Sequence, residues 1–147
     1  MSSNLRTAVS ANKNLTLTIP AATEHLTEAR DFVASFAEKN GFGPEAIEQV
    51  RLAVDEACTN VIKHAYQFDK SKKIDISVGK KNQEMWVSIT DEGISFDPSK
   101  YVEPDLEKRI KERKRGGFGI YLIKKFMDKV EYKKSGSINE LKMSKKI

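Results

Sequence analysis

The stretch Val54-Asp55-Glu56-Ala57-Cys58-Thr59-Asn60-Val61 lies within the most regular hydrophobic pattern of the chain. The apolar positions of this region alternate in steps of three and four, the spacing of a buried helical stripe, at Ile47, Val50, Val54, Ala57 and Val61. Glu56, Asn60 and His64 follow at four-residue intervals, so a helix aligns them in a polar column beside the stripe. Such a column is either an ordinary solvated face or a site that holds Mg²⁺ and the proton of a nucleophile.

Length and composition predict one soluble domain. The chain has 147 residues, of which 39% are hydrophobic and 32% charged. We expect a flexible N-terminus over residues 1–13 and a single domain over 14–147. No apolar run approaches the roughly 20 residues that span a bilayer, and no secretory signal is visible. Cys58 is the only cysteine, which excludes an intrachain disulfide and a cysteine-based zinc site. These features favour a cytoplasmic protein that does not bind membranes.

The net charge of +5 comes from 26 basic and 21 acidic residues, and much of the excess lies in residues 108–115. This segment carries six basic residues and one acidic residue. It is a solvated surface, a phosphate-facing segment or a dock for an acidic partner. Direct nucleic-acid binding is not expected, because the cluster lacks interleaved aromatic residues and a recognised DNA-binding motif.

Periodicity predicts an α+β fold. Period-two alternation indicates strands at Leu15–Ile19, Ile74–Val78, Met85–Ile89, Val130–Lys134 and Ile138–Met143. Helical spacing indicates helices from a Thr23 cap to Asn40-Gly41, from Pro44 to about Tyr66 and after Gly119, with a short one at Leu106–Ile110. The strands are joined mostly by hairpins, and each helix has one apolar stripe. We therefore expect a two-layer α/β sandwich, with a mixed, mostly antiparallel sheet and helices on one face.

Asp91 is a second candidate functional residue. Strand alternation places it on the same face as Met85, Val87 and Ile89, and an inward aspartate at the end of a core strand needs a partner. Gly93 permits a sharp turn or the close approach of a ligand. Asp91-Glu92-Gly93 is also a common strand-ending turn, and the residues alone leave both interpretations open.

A glycine-rich turn, Arg115-Gly116-Gly117-Phe118-Gly119-Ile120, directly precedes the third helix. Such backbone exposes amide N–H groups at a helix N-terminus, where the helix dipole favours an anion such as a phosphate chain. It is neither a Walker A loop nor a dinucleotide fingerprint. A flexible hinge is the alternative.

Taken together, the three motifs resemble those of the GHKL ATPases, the superfamily of DNA gyrase and the histidine kinases. The stretch from Arg51 to Tyr66 resembles the N box of that superfamily, Asp91–Pro98 its first glycine box, and Gly117–Ile123 its second. Within the superfamily, the sequences of residues 60–66 and 126–132 are most similar to those of the bacterial anti-sigma-factor serine kinases. The resemblance covers roughly residues 15 to 146 and implies a Bergerat-type ATP-binding fold.

The resemblance implies a role for each matching residue. Asn60 would coordinate Mg²⁺, and Glu56 would act as general base. Asp91 would accept a hydrogen bond from the adenine amino group, and Gly93 would let the backbone approach the base. The turn Gly117, Phe118, Gly119 and Ile120 would bind the ATP phosphates, with Arg115 neutralising the γ-phosphate. Residues 94–115 would form the ATP lid.

Two departures from the family pattern stand out. Ser95 replaces a second glycine of the first glycine box. The last strand reads Ser137-Ile138-Asn139-Glu140-Leu141 where several relatives have a Gly-Thr pair, so no nucleotide contact is carried over to that strand.

The resemblance implies a serine protein kinase that binds a sigma factor and phosphorylates a serine of an anti-anti-sigma (STAS-type) antagonist, with a homodimer as one arrangement. The alternative is a nucleotide-binding partner switch with little or no kinase activity. A histidine-kinase catalytic domain is disfavoured, because neither His25 nor His64 has the context of a phosphoaccepting histidine.

Overall fold

A computed structural model of the chain describes residues 8–9, 14–95 and 118–147, with side chains for 14–95 and 120–147. The strands are β1 (Ala8–Val9), β2 (Leu15–Pro20), β3 (Lys73–Lys81), β4 (Glu84–Asp91), β5 (Lys129–Ser135) and β6 (Ile138–Lys146). The helices are α1 (Leu26–Lys39), α2 (Pro44–Asn60) and α3 (Phe118–Phe126). A 3₁₀ turn (Thr23–His25) precedes α1, and a π-turn (Val61–Ala65) extends α2.

The strands form one sheet in the order β1-β2-β3-β4-β6-β5, and every pairing within the described residues is antiparallel. The hairpins β3–β4 and β5–β6 lie side by side because β4 pairs with β6. This pairing sets Asp91, the last residue of β4, directly opposite Asn139 of β6. The sheet therefore brings the start of β6 to the position where the sequence predicted a ligand-binding aspartate.

The core lies between the sheet and the helices. Alternate residues of the strands, such as Ile76 and Val87, are fully buried against helical residues such as Val33, Val54 and Ile123. The predicted α+β fold, with the helices covering one face of the sheet, is confirmed. The burial of this face follows from the period-two pattern of the strands and the 3.6-residue pattern of the helices.

The opposite face of the sheet carries polar and amphipathic side chains. The hydroxyls of Thr16 and Ser77 are 2.9 Å apart across β2 and β3. The Trp86 ring lies over Gly79, where an added Cβ would fall 2.4 Å from the ring, and the Lys142 ammonium is 5.0 Å from a Trp86 ring centroid. This face is thus distinct from the apolar core face.

The helix ends agree with the sequence in part. Helix α1 ends at Lys39, and Gly41 has a φ of +91°, as expected of a glycine after a helix. The prediction that Thr23 caps α1 is wrong: Thr23 begins the 3₁₀ turn, His25 is the residue before α1, and no side-chain hydrogen bond caps that helix.

The second helix ends about where the sequence predicted, but its last turn is not α-helical. Residues Val61–Ala65 form a π-turn, in which the Tyr66 N–H donates to the Val61 carbonyl five residues earlier at 2.9 Å. His64, the third member of the polar column that the sequence suggested, lies within this π-turn and is exposed.

Several predictions concern residues whose structure is not described. The short helix at Leu106–Ile110 and most of the lid at 94–115 lie outside the described residues, as does most of the segment 1–13. The lid and the flexible N-terminus remain predictions. Among the helices of the described ranges, none is long and apolar enough to cross a bilayer.

Candidate functional site

A pocket lies between the end of α2 with its π-turn, the start of α3 and the core face of β4, β5 and β6. The empty space within it is about 410 Å³, a figure that includes space open to solvent. Asn60, Asp91 and Ile120, which come from three separate predicted motifs, all contribute to it. The other lining residues are Ala57, Val61, Ala65, Ile89, Ile94, Tyr132 and Leu141. Mostly apolar walls with a few polar groups are typical of a site for a small molecule.

Asp91 is the buried acid of this pocket, only 8% exposed. Its Oδ1 accepts the Gly93 backbone N–H at 2.8 Å and the Asn139 side-chain amide at 2.9 Å. These two donors offset the desolvation of the carboxylate. Strand alternation therefore placed Asp91 correctly on the core face, and the partner that such an aspartate requires is Asn139.

Asn139 is the site residue that the sequence interpretation did not identify. Its side chain is 2% exposed and hydrogen-bonds four residues, of which Asp91 and Tyr132 line the pocket. The amide nitrogen donates to Asp91 Oδ1 and to the Gly93 carbonyl, both at 2.9 Å. The amide oxygen accepts the Tyr132 hydroxyl at 3.2 Å and the Ser95 hydroxyl at 3.3 Å. Strand alternation could have placed Asn139 on the core face, because it shares that face with Leu141 and Met143.

Gly93 is required where it is because the backbone of the π-turn lies against it. A Cβ at this position would fall 2.3 Å from the Ala65 carbonyl oxygen, closer than real contacts allow. The same carbonyl accepts the Ile94 N–H at 2.8 Å. The π-turn thus fixes the chain immediately after Asp91, and the close contact that the structure shows at Gly93 is between two backbone segments.

Tyr66 joins this region to the sheet. Its hydroxyl donates to the Lys73 carbonyl at 2.6 Å and accepts the Glu92 N–H at 2.9 Å. Burial, together with the nearby carboxylates, raises the pKa of the Tyr66 hydroxyl, which therefore stays protonated as a donor. Tyr66 thereby holds the end of β4 and the start of β3 in place beside the pocket.

Asn60 and Glu56 lie one helical turn apart on α2, and both are partly buried. Within the described ranges, no hydrogen bond or ion pair engages either side chain. Burial first, and then the negative charge of Asp55, raises the pKa of Glu56, while Lys63 opposes the shift. A carboxylate with a raised pKa is better suited to accept a proton near neutral pH.

A salt bridge between two helices lies next to Glu56. Arg30 of α1 contacts the Asp55 carboxylate of α2 at 2.5 Å and also donates to the Thr27 hydroxyl at 2.9 Å. Both members of the ion pair are about 70% shielded from solvent, with side-chain exposures of 30% and 28%. The pair therefore fixes α2 against α1 at the turn that carries Glu56.

The remaining candidate residues are placed only in part. Arg115 and Gly117 lie outside the described residues. Phe118 and Gly119 form the first turn of α3, and Ile120 in that turn is buried and lines the pocket. His64 does not contribute to the pocket lining. Burial raises the pKa of the Cys58 thiol to about 12, so this cysteine is an unreactive part of the core.

The described residues of the pocket could hold Mg²⁺ only together with the phosphates of a nucleotide. No group of three or more His, Cys, Asp or Glu side chains in the described part of the chain could hold a metal ion. Mg²⁺ in nucleotide sites commonly keeps several waters and takes few protein ligands beside the phosphates. The Asn60 side chain, partly exposed at the edge of the pocket and without a hydrogen-bond partner in the described ranges, suits such a single contact.

Comparison with known families agrees with this geometry. Residues 19–145 match the family model of the histidine kinase-like ATPase domain. That range includes the pocket residues from α2, β4, α3, β5 and β6.

Curated relatives with the name serine-protein kinase RsbW align over most of the chain. The protein from Halalkalibacterium halodurans is 35% identical over 130 residues, which cover 86% of this chain and 79% of the relative. The protein from Oceanobacillus iheyensis is 35% identical over 117 residues, covering 77% and 74%. The one from Bacillus cereus is 32% identical over 123 residues, covering 81% and 76%.

Two solved structures share the fold at low sequence identity. A chain with the RsbU and RsbW domains of a Mycobacterium tuberculosis protein has a TM-score of 0.63 and 13% identity; the match covers 90% of this chain and 32% of that longer one. A chain of the SiaB–SiaC complex from Pseudomonas aeruginosa has a TM-score of 0.58 and 11% identity, covering 99% and 93%. With the family match over residues 19–145 and identities of up to 35%, the chain belongs to the histidine kinase-like ATPase domain family and, within it, to the relatives of the serine-protein kinase RsbW.

Proposed function

We propose that the protein is an ATP-dependent serine kinase of an anti-sigma partner switch. It would bind a sigma factor and phosphorylate a serine of an anti-anti-sigma antagonist in the cytoplasm. The observation that carries this proposal is the pocket itself, where Asn60, Asp91 and Ile120 meet, with Glu56 one turn before Asn60. The names of the RsbW relatives support the choice of serine as acceptor.

In this proposal the adenine lies among the apolar side chains, and its amino group donates to Asp91. The phosphates extend towards the first turn of α3, where Gly117, Phe118, Gly119 and Ile120 would present backbone N–H groups to them. Arg115 would neutralise charge on the γ-phosphate. Asn60 would hold Mg²⁺, which supplies positive charge to the phosphates when bound.

Glu56 would carry out the proton transfer. The serine hydroxyl oxygen forms a bond to the γ-phosphorus, the bond from that phosphorus to the ADP oxygen breaks, and the hydroxyl proton passes to the Glu56 carboxylate. The raised pKa of Glu56 favours this acceptance, and Glu56 lies one helical turn before Asn60, the residue that would hold the metal ion beside the phosphates. Phosphoryl transfer otherwise depends on positioning and charge neutralisation, which the other residues supply.

A kinase assay with the cognate antagonist and Mg-ATP tests the proposal. We expect acid-stable phosphoserine with the wild-type protein and a loss of at least about 100-fold in transfer rate with Glu56→Gln, the usual range for a general base. ATP affinity should be retained in that variant. Glu48→Gln is the matched control, since this exposed carboxylate lies on the same helix, α2, away from the pocket.

Two outcomes would reject parts of the proposal. ATP binding with equal transfer rates for the wild type and Glu56→Gln would remove Glu56 as the base. ATP binding without any transfer, together with nucleotide-dependent sigma-factor binding, would favour a partner-switch module without kinase activity.

A further inference from the structure

The Asn139 side chain uses its full hydrogen-bonding capacity inside the protein. Its two N–H groups go to Asp91 Oδ1 and the Gly93 carbonyl, both at 2.9 Å. Its oxygen accepts the Tyr132 and Ser95 hydroxyls at 3.2 and 3.3 Å. A carboxamide has two donors and two acceptor sites, so no capacity remains for a ligand. Asn139 is therefore not itself a nucleotide contact.

The chemistry of these partners fixes the orientation of the amide. A carboxylate and a backbone carbonyl only accept, so they must face the NH₂ group of Asn139. Rotating the amide by 180° would place its oxygen against two acceptors, the Asp91 carboxylate and the Gly93 carbonyl. Because Asn139 is 2% exposed, water cannot relieve that mismatch. The amide thus has one stable arrangement.

This arrangement gives the two Asp91 oxygens different roles. Oδ1 accepts two donors, from Gly93 and Asn139, which occupies the positions of both its lone pairs. No donor within the described ranges reaches Oδ2. Asp91 also lines the pocket, so Oδ2 is the acceptor left for a bound molecule.

We propose that Asn139 is a positioning residue that sets the base preference of the pocket, by holding Asp91 so that a single oxygen, Oδ2, is presented to the ligand. This inference rests on the proposed nucleotide site and deepens it. A fixed carboxylate with one free acceptor matches a base that carries an exocyclic amino donor, such as adenine. It repels a base with a carbonyl oxygen at the same place, because two acceptors would then face each other in a desolvated site.

Asn139 lies in the stretch of β6 where the sequence departs from the family pattern, and its position there explains its contact with Asp91. Asn139 is opposite Asp91 in the β4–β6 register, so its side chain reaches the carboxylate directly across the strands. Tyr132 of the neighbouring strand β5 holds the amide oxygen, which links the edge strand of the sheet to the pocket. Base selection would therefore depend on Asn139 and, through its amide oxygen, on Tyr132.

The test compares binding of ATP and inosine triphosphate, which carries a carbonyl in place of the amino group. We would measure the dissociation constants of both for the wild type, Asn139→Ala and Asn139→Asp, by calorimetry or by displacement of a fluorescent nucleotide. The preference for ATP over inosine triphosphate should fall about tenfold in each variant, the effect of about one lost hydrogen bond. A merely structural defect would weaken both nucleotides equally and leave the ratio unchanged.

Matched variants separate the possible results. Ser144→Ala, at another buried polar position of β6 away from the pocket, should keep the wild-type ratio. Should both Asn139 variants fail to fold, Tyr132→Phe decides, with an expected fall of about threefold in the ratio from the weakened support of the amide.

If the wild type binds and prefers ATP but the ratio does not change in the folded variants, the inference is overturned and the proposed function stands. If the wild type binds neither nucleotide, the proposed function fails first, and the inference with it.

Discussion

At the scale of single residues, Gly93 is the position whose size the structure restricts most tightly beside the pocket. We predict that Gly93→Ala destabilises the protein by about 1–3 kcal/mol, the usual range for an overpacked site. The reason is the 2.3 Å approach of the added Cβ to the Ala65 carbonyl, a backbone atom that cannot rotate away. Urea unfolding of the wild type and the variant measures the difference.

Gly43→Ala provides the control for this prediction. Nothing lies within 4 Å of a Cβ at Gly43, and its φ of −77° is open to any residue. Its free energy of unfolding should change by less than about 1 kcal/mol. Equal effects of the two substitutions would contradict the steric explanation for Gly93.

Glu56 gives a prediction with a defined dependence on pH. Since its folded pKa is raised above the ordinary value of 4.5, the folded state holds this proton more tightly than the unfolded state. The free energy of unfolding therefore falls as the pH rises from that value through the raised pKa. We predict that Glu56→Gln is more stable than the wild type at pH 7, by less than about 1 kcal/mol because the group is partly solvated.

Thermal unfolding of both proteins between pH 4 and pH 8 tests this expectation. The difference should be near zero at the acidic end, where the carboxyl is protonated in both states, and should grow as the pH rises. A variant that is less stable than the wild type at pH 7 would show that the Glu56 carboxylate makes a stabilising contact, and would contradict the expectation that its burial destabilises the folded state.

Asn139 shows what the sequence could and could not predict about a single residue. The inward direction of Asp91 followed from strand alternation, and the same alternation places Asn139 on the core face with Leu141 and Met143. Its partnership with Asp91, however, depends on the pairing of β4 with β6, which lie 48 positions apart at these two residues. Local spacing carries no information about such register, so the sequence could not supply this contact.

At the scale of elements, the link between α1 and α2 is open to a direct measurement. The Arg30–Asp55 pair is short and partly buried, whereas the Arg51–Asp31 pair joins the same two helices at 3.3 Å with the Asp31 side chain 63% exposed. We predict a coupling energy of about 0.5–1 kcal/mol for Arg30–Asp55 and nearly zero for Arg51–Asp31, because solvent screens the exposed pair.

Double-mutant cycles with Arg30→Ala and Asp55→Ala, and with Arg51→Ala and Asp31→Ala, give both coupling energies from denaturant unfolding. Repeating the first cycle in 1 M salt should reduce its value, since ionic screening weakens partly exposed charges. Equal coupling in the two cycles would mean that the distances and burial of these pairs do not determine how α1 holds α2.

The π-turn is the element that the sequence did not reveal. Ala57, Val61 and Ala65 recur every four residues, a spacing that an α-helix accommodates as well, and no proline or glycine marks a change between Asn60 and Tyr66. What distinguishes this turn is tertiary: the Ala65 carbonyl accepts from Ile94, and the Tyr66 hydroxyl joins Lys73 and Glu92. The turn type is therefore set by the packing of the pocket, as is frequent for π-turns at functional sites.

At the scale of the whole molecule, binding in this pocket should be visible as stability. The pocket is lined by α2 with its π-turn, three strands and the start of α3, so a ligand bound there contacts elements distributed along most of the chain. Mg-ATP at 100 times its dissociation constant would add about 2.7 kcal/mol to the free energy of unfolding. For a protein of this size that corresponds to a rise in Tm of roughly 5–10 °C.

Scanning fluorimetry with ATP, with and without Mg²⁺, tests both the site and the role of Asn60. We expect the rise in Tm to be larger with Mg²⁺ in the wild type, and Asn60→Ala to lose that additional rise while keeping a smaller one from the adenine contacts. Gln49→Ala, on the same helix but outside the pocket, should behave as the wild type does, because it removes no group near the phosphates. If Asn60→Ala retains the full response to Mg²⁺, the metal is held by other groups, and the assignment of Asn60 fails. If ATP leaves the Tm of the wild type unchanged at saturating concentration, the pocket is not a nucleotide site, since a ligand that binds only the folded state must stabilise it.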